Sequence, residues 1–475
     1  MTNGHTTTEA PQRGPAPPPL SLSALTDPVP RALFRLAVPI LASHLLRLSY
    51  QWVDAFWVRG LGVDATAAVT TSVFFLWTFQ ALNDMVLVGT VAFVAQLLGA
   101  GQIQRAGYAS YLGLRASVGV GVLGIAVGLF LARPLFGLLT ADPGALEQGS
   151  TYLRIIMLGS PLFLFSLTAE SVMRAAGDAR TPLAVDAVAV GLNLALDPLL
   201  IYGFAFVPGL GVAGAAIATV TAQGVAALTY AWLAWRRHPS LPLSRTAPGA
   251  PLRMRAVLRV GMPAAAIAAL FSVVYVAFGA SAGRFGPASL AVIGMVQRLE
   301  SIEFLVALAI GLAGSTMVGQ NLGAGRPDRA VLSIKTGMRW ITIFAGVSAI
   351  VMIAFPSFLL SLFTADPEAI RLGVPYLRIV ALCTVMNGLE IVVAESVLGS
   401  GHTMAVSVIF TVFSLIRLPL AFIVPAWGDL GVVGIAWVIA VTCVLRSIFI
   451  LGWAARGTWK SGLAGSVPLG PPGAT

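Results

Sequence analysis

The sequence is poor in charged residues, and it contains almost no lysine or cysteine. Charged side chains make up 10% of its 475 residues, whereas a soluble protein carries roughly 25%, so an ordinary water-soluble globule is excluded. Lysine occurs only at Lys335 and Lys460. The two cysteines, Cys383 and Cys443, stand in apolar runs without metal-ligand spacing. They predict neither a disulfide framework nor a zinc site.

The chain has long apolar runs instead. Apolar residues make up 57% of it, and a run of about 20 such residues is long enough to cross a membrane as a helix. Glycine, proline and charged residues divide the chain into such runs. We therefore predict an all-α polytopic membrane protein with 12 transmembrane helices, near residues 33–59, 64–98, 105–139, 145–176, 180–206, 211–236, 253–284, 287–322, 328–362, 368–399, 403–426 and 430–456.

Proline and arginine mark the segments between and outside these helices. Residues 1–30 are rich in proline and predict a disordered cytoplasmic tail. Residues 237–252 are basic and interrupted by proline, which predicts a cytoplasmic linker between an N-lobe at 31–236 and a C-lobe at 253–456, with a tail at 457–475. The arginine-rich loops lie on the linker side, so we expect both termini in the cytoplasm and the protein in the inner membrane. The net charge of +10 fits lipid headgroups, and we expect no nucleic-acid partner.

An internal repeat relates the two halves at an offset of 224 residues. Gln96–Ala106 and Gln320–Ala330 share seven of eleven residues, and Thr140–Ile155 and Thr364–Ile379 share ten of sixteen. Six helices separate the copies, and six is even, so the copies have the same orientation in the membrane. The repeat therefore predicts two six-helix lobes related by an axis along the membrane normal, with a cleft between them.

The two lobes differ in their intramembrane carboxylates. Asp54, in the first predicted helix, has Phe278 at its repeat position, and Asp197, in the fifth, falls near Leu418 and Pro419. An aspartate at the centre of a membrane helix costs about 2.5 to 3.5 kcal/mol on insertion scales. Two of them predict a hydrated functional pocket in the first lobe.

Further polar groups surround these carboxylates in the sequence. Asn193 and Asp197 are four residues apart and share one helix face. Pro198 frees a carbonyl nearby, and Thr219 adds a hydroxyl from the sixth helix. With Asp54, this set predicts either an oxygen-rich Na⁺ site, with Asp54, Asn193 and Asp197 as ligands, or two carboxylates that share a proton.

Structural roles compete with this interpretation. Asn193 and Thr219 also fit interhelical hydrogen bonds, and Asp54 could form a buried pair with Arg47. Glu170 and Glu395 lie near the same end of helices four and ten, which favours caps or salt bridges over transport roles.

A second group of ionisable residues lies in the C-lobe. Arg298, Glu300 and Glu303 cluster in the eighth helix, and Glu390 lies in the tenth. The group predicts either a second-lobe substrate or cation site, or a structural network in which the charges neutralise one another. Asp84, which has no acidic counterpart in the repeat, has no assigned role.

From Pro30 to Arg456 the chain resembles the multidrug and toxic compound extrusion (MATE) family, and within it the DinF-like branch. The resemblance rests on VDAFWVRGLG, VAQLLGAG, MRAAGDARTP, LNLALDPLLIYG, GVAGAAIAT and VGQNLGAGRPDRA, which begin at Val53, Val94, Met173, Leu192, Gly211 and Val318.

The resemblance implies export of cationic, amphipathic compounds in exchange for H⁺ or Na⁺. It maps a cation-coupling site onto Asp54, Asn193, Asp197 and Thr219, and it gives Pro39 a conformational role in bending the first helix. The carboxylate that NorM-type members carry in the seventh helix is missing here, because residues 262–285 contain no acidic residue.

These observations predict an alternating-access multidrug efflux antiporter. A flippase for lipid-linked oligosaccharides is one alternative, although an acidic pocket is a poor match for anionic headgroups. An integral membrane enzyme is the other, but the sequence has no HExxH motif, nucleophile elbow or Asp-rich diphosphate motif. We expect no cofactor beyond the coupling ion, H⁺ or Na⁺, and we expect a monomer with small cationic or amphipathic substrates and the lipid bilayer as its partners.

Overall fold

The chain folds into long helices. A computed structural model describes residues 23–137, 142–204, 207–248 and 252–465. Residues 1–22 and 466–475 of the predicted tails, 249–251 of the predicted linker, and 138–141, which include the start of the first TADP motif, lie outside this description. The helices are α1 (Ser23–Thr26), α2 (Val29–Arg59), α3 (Val63–Gly99), α4 (Ile103–Gly137), α5 (Pro143–Leu158), α6 (Ser160–Ala175), α7 (Arg180–Tyr202), α8 (Val212–Trp235), α9 (Met254–Gly283), α10 (Pro287–Gly323), α11 (Pro327–Ala354), α12 (Pro356–Ser361), α13 (Pro367–Leu398), α14 (Thr403–Ala426) and α15 (Gly431–Arg456).

Three short elements complete the described chain. Gly203–Phe204 pairs antiparallel with Val207–Pro208 in a small hairpin after α7. Trp427–Asp429 forms a 3-10 turn before α15, and Thr458–Gly465 forms a 3-10 segment after it.

The helix count confirms the predicted fold class. In the described residues, ten helices are long and apolar enough to cross a membrane, and the bent pair α5 and α6 supplies an eleventh span. The 30-residue α9 occupies the position of the remaining predicted span. The chain is therefore an all-α polytopic membrane protein whose two six-helix lobes comprise α2–α8 and α9–α15.

The aspartate of each TADP motif caps the helix that follows it. Asp142 precedes α5, and its Oδ2 accepts a hydrogen bond of 2.7 Å from the Ala145 amide. Asp366 precedes α13, and its Oδ1 accepts one of 3.0 Å from the Glu368 amide. A proline follows each aspartate at the first helical position, where its missing N–H costs nothing. The motif thus begins the same helix in both lobes.

The predicted helix at 145–176 is broken in the structure. α5 and α6 meet at Gly159 with a bend of 52°. Pro161 has no N–H to continue the helix, and the bend brings Gly159 so close to Val220 that a Cβ there would lie 2.6 Å from it. The corresponding residues in the second lobe are Cys383 and Val385, and α13 is continuous there. The bend is therefore confined to the first lobe.

The lobes touch closely at one end of the bundle, which we call the terminal face because Ser23–Thr26 and Thr458–Gly465 lie there. A Cβ atom on Gly99 would lie 2.0 Å from the Gln320 carbonyl oxygen, and one on Gly323 would lie 1.9 Å from that of Gln96. The two contacts are related by the 224-residue repeat. Only glycine permits backbones to approach this closely, so the structure is closed at the terminal face.

The N-terminal prediction needs correction. Residues 23–30 were expected to belong to a disordered tail, but Ser23–Thr26 is helical and Ala24 is fully buried. Asn321 and Arg329 donate hydrogen bonds of 3.2 and 3.1 Å to the Ala24 carbonyl. Two second-lobe helices thus anchor the segment before α2, because they satisfy the carbonyls that a short helix leaves free.

Candidate functional site

The structure brings the predicted coupling residues of α7 and α8 together. Asn193 donates through Nδ2 to Asp197 Oδ1 at 3.2 Å and contacts Thr219 Oγ1 at 3.5 Å. Asp197 is fully buried, and its Oδ2 has no hydrogen-bond partner among the described residues. The spacing of four residues on α7 therefore places an amide and a carboxylate side by side, next to the hydroxyl of the following helix.

Asp54 approaches the same group from α2. It is 8% exposed, and its Oδ1 has no hydrogen-bond partner within the described part of the chain. It lies close enough for its charge to act on Asp197. A buried carboxylate without a basic partner is costly, so this pair is a candidate binding site for a cation.

The alternative in which Arg47 neutralises Asp54 is wrong. Arg47 instead forms an ion pair with Glu170 and another of 2.9 Å with Asp186. Glu170 also pairs with Arg174 at 2.5 Å. The first lobe therefore contains a neutralised cluster joining α2, α6 and α7, separate from the carboxylates at Asp54 and Asp197.

A cavity of about 370 Å³ lies against Asp54 and Thr219. Apolar and aromatic side chains form most of its wall, with a few polar groups among them, which is the usual composition of a small-molecule site. The α5–α6 bend also lines it, since Gly159 and Ser160 are part of the wall. Tyr50, Gln51, Gln80, Tyr152 and Gln223 are wall residues that the sequence reasoning did not identify.

Pro39 lies inside α2 and is buried. α2 is continuous from Val29 to Arg59, so this structure shows the first helix without a break at the proline. The conformational role expected for Pro39, bending of the first helix, would require a second, bent state of α2.

The second-lobe acidic residues divide into two environments. Glu390 Oε1 lies 2.6 Å from Arg446 Nε, and Glu390 Oε2 accepts a hydrogen bond of 2.9 Å from Ser447. Arg446 also lies 4.1 Å above the Phe410 ring. Glu390 is thus a satisfied partner in a buried ion pair.

Glu303 lies in the other environment. Its Oε2 accepts a long hydrogen bond of 3.3 Å from Asn387, and its Oε1 is buried without a hydrogen-bond partner in the described ranges. Glu300 is half-buried one turn earlier, whereas Arg298 is exposed. The predicted cluster therefore separates into a structural pair at Glu390 and a less satisfied carboxylate at Glu303.

Sequence reasoning missed two buried arginines of the second lobe. Arg417 on α14 donates through Nε to Thr442 at 2.7 Å, and Arg446 pairs with Glu390. Both interrupt apolar runs that were predicted to be membrane helices, and an arginine inside such a run is itself a signal of a buried partner.

Glu170 and Glu395 do not share one role. Glu170 pairs with two arginines, as expected for a salt-bridge residue. Glu395 forms no ion pair in the part of the chain that the structure describes, and the charge of Asp84 from the first lobe acts on it. The matching sequence positions therefore did not predict matching partners.

Comparison with known proteins gives the family. A family model described as MatE matches the chain twice, at residues 39–199 and at 263–423. The two matches are again offset by 224 residues. They cover more than half of the chain, and each half matches the family model once.

Individual relatives agree over nearly the whole length. The chain is 30% identical to the "Probable multidrug resistance protein YpnP" of Bacillus subtilis, over 91% of this chain and 96% of that protein. It is 28% identical to the "FAD transporter" of Shewanella oneidensis, over 89% of this chain and 94% of that protein.

Solved structures show the same fold. A transporter of the MOP superfamily from Pyrococcus furiosus, described as having a binding pocket of reversed polarity, matches with a TM-score of 0.84 at 22% identity. The match covers 92% of this chain and 97% of that one. Family model, relatives and fold thus agree, and the chain belongs to the multidrug and toxic compound extrusion family, whose members are membrane transporters and not enzymes.

Proposed function

We propose that this protein is a cation-coupled multidrug efflux antiporter that exports cationic and amphipathic compounds by alternating access. The observation that supports this most is the first-lobe site, where Asp54 and Asp197 approach each other without a basic partner among the described residues. The names of several relatives, including the multidrug resistance protein of Bacillus subtilis, point to the same substrate class.

The coupling ion, H⁺ or Na⁺, binds at Asp54, Asn193, Asp197 and Thr219. Asp54 and Thr219 border the cavity, so an ion that reaches these carboxylates changes the charge that a cationic substrate meets there. Two close carboxylates repel one another, and a bound cation relieves that repulsion. Ion and cationic substrate therefore compete, which is the coupling that an antiporter needs.

The orientation of the protein in the membrane follows from the position of the linker. The terminal face carries the linker, whose arginines indicate a cytoplasmic location, so we place both termini in the cytoplasm and the protein in the inner membrane of its cell. Since this face is closed, the structure represents a state of the cycle in which the site is closed to the cytoplasm. We expect a monomer to suffice, because the cavity and the carboxylates beside it all come from one chain.

In the second lobe we propose Glu303, with Glu300 beside it, as the substrate or cation site. Arg298 and Glu390 do not belong to it. Glu303→Gln should change the unfolding free energy by less than about 1 kcal/mol, because the lost partner is a neutral amide at long distance. It should also weaken efflux of a cationic dye. Unchanged dye efflux would instead assign the whole cluster a structural role.

Separate ion gradients test the function directly. Purified protein in liposomes would be given a proton gradient alone, a sodium gradient alone, or neither, while transport of ethidium is followed by fluorescence. We expect one of the two gradients to drive ethidium movement and the other to have little effect.

FAD provides the contrasting substrate, because a relative is named for its transport and FAD is anionic. The carboxylate of Asp54 in the cavity wall predicts little FAD movement. Transport of FAD without transport of ethidium would overturn the proposal, and so would flipping of a lipid-linked oligosaccharide by the same vesicles.

A further inference from the structure

Two buried glutamines join the lobes at the terminal face. Gln96 Nε2 donates to the Gly399 carbonyl at 2.8 Å, and Gln320 Nε2 donates to the Ala175 carbonyl at 2.8 Å. Donors and acceptors are both related by the 224-residue repeat. Each lobe therefore supplies one donor and one acceptor to a reciprocal clasp, and these four groups can meet only while this face is closed.

The clasp explains why the QxLGAG motif occurs twice. The glutamine that opens each copy makes the hydrogen bond between the lobes, and the first glycine of each copy, Gly99 or Gly323, allows the backbone contact beside it. The motif is thus part of the contact between lobes and lies away from the first-lobe cavity.

The side-chain oxygen of each glutamine breaks the symmetry. Gln96 Oε1 accepts a hydrogen bond of 2.8 Å from the Leu463 amide. Gln320 Oε1 is buried and has no hydrogen-bond partner in the described residues. A chain segment beyond the last membrane helix therefore completes one half of the clasp.

The segment that contains Leu463 is packed against the first lobe. Leu463 is 3% exposed and belongs to a core cluster formed mainly by first-lobe residues. Gly462, at φ 59°, allows the close approach, since a Cβ there would lie 2.8 Å from Gln96 Oε1. Trp459 is also 3% exposed and donates to the Ala454 carbonyl at 2.9 Å. The predicted C-terminal tail is therefore packed structure from Thr458 to Gly465.

We propose that Thr458–Gly465 is a latch that stabilises the closed terminal face. The segment continues from α15 of the second lobe, while Leu463 contacts α3 of the first lobe, so opening this face must break the contact. The proposal rests on the two-state cycle of the proposed function. It does not depend on which ion drives that cycle.

The size of the effect follows from the contacts. One hydrogen bond shifts an equilibrium by roughly two- to twelvefold, and burial of one leucine side chain adds a factor of about ten or more. Removal of the latch should raise the ratio of terminal-face-open to terminal-face-closed molecules by about tenfold or more.

Spin-label distances provide the test. Labels would be attached at Ile103→Cys and Asp328→Cys, one exposed site on each lobe, in full-length protein with Cys383→Ala and Cys443→Ala, without substrate or ion gradient. A chain ending at Gly457 should show a larger fraction of long distances. An unchanged distribution in the shortened chain would overturn the latch.

The matched pair Gln96→Leu and Gln320→Leu separates the latch from the clasp. Both variants lose one hydrogen bond between the lobes, but only Gln96→Leu also loses the hydrogen bond from the Leu463 amide. We expect Gln96→Leu to open the face more in the full-length chain, and the two variants to behave alike in the shortened one. Equal effects in both backgrounds would refute the proposal.

Point variants keep the test valid if the shortened chain does not fold. Gly462→Val should reproduce the opening, because its side chain would collide with Gln96 Oε1. Lys460→Ala, at an exposed site of the same segment, should leave the distances unchanged. If Lys460→Ala opened the face and Gly462→Val did not, the result would contradict the latch. Because no gradient is applied, a failed coupling role for Asp54 would not change these outcomes.

Discussion

Asp54→Asn abolishes gradient-driven accumulation of substrate in proteoliposomes, if the first-lobe carboxylates bind the coupling ion. A tenfold ion gradient supplies about 1.4 kcal/mol, and 100 mV adds about 2.3 kcal/mol for each net charge moved. One ion exchanged for a neutral substrate can therefore sustain a concentration ratio of several hundredfold, and one exchanged for a monovalent cation a ratio of about tenfold, because no net charge then moves. In the variant we expect a ratio near one, measured as dye concentration inside and outside the vesicles.

The same substitution should not destabilise the protein. Asp54 Oδ1 has no hydrogen-bond partner among the described residues, and asparagine has nearly the same shape without the charge, so no favourable contact is lost. Asp64→Asn, at an exposed position of the same lobe, serves as the control and should retain full accumulation. Accumulation by Asp54→Asn at the level of the unaltered protein would remove Asp54 from the coupling site.

Arg446→Met lowers the free energy of unfolding by about 3 to 5 kcal/mol, because it leaves Glu390 buried with an uncompensated charge. The side chains of Arg446 and Glu390 are 6% and 2% exposed. The measurement is denaturant unfolding in detergent micelles, followed by circular dichroism.

Two comparisons separate the buried pair from a general effect of losing arginine. Arg371→Met breaks an exposed pair with Glu368 in the same lobe and should leave the free energy of unfolding nearly unchanged, because water screens exposed charges. The double variant Arg446→Met with Glu390→Gln removes both charges and should recover most of the stability. If the double variant is as unstable as Arg446→Met, the loss comes from packing against Phe410 and not from the buried charge.

The architecture was readable from the sequence because it depends on long apolar runs and a repeat. Both are properties of the chain itself. The 224-residue offset gave the two lobes, and the TADP motif contained its own helix cap at Asp142 and Asp366. Asn193 and Asp197 could be placed together because their spacing of four matches the helical repeat.

Other features depend on contacts between distant segments. Gly159, at the bend, packs against Val220 of α8, and the sequence around Gly159 also fits an ordinary membrane helix. Arg47 could have reached several acidic residues, and only the packing of α2 against α6 and α7 directs it to Glu170 and Asp186.

The structure of the two chain ends also could not be predicted from the local sequence. Residues 458–465 are too few to form a membrane helix and therefore resemble a tail in the sequence. Their position depends on the hydrogen bond that Gln96 Oε1 accepts from the Leu463 amide. Ser23–Thr26 is held in the same way by Asn321 and Arg329. Such segments are ordered by contacts with residues hundreds of positions away in the sequence. Local sequence patterns do not predict these contacts.

Competition between ion and substrate at one site tests the account most directly. Binding of a fluorescent lipophilic cation to purified protein in detergent would be measured while H⁺ and Na⁺ are varied separately, for the unaltered chain, Asp54→Asn and Asp197→Asn. We predict that one ion displaces the probe competitively from the unaltered chain, and that this displacement is lost in both variants. Simultaneous binding of probe and ion, with neither affinity changed by the other or by the two substitutions, would contradict the account.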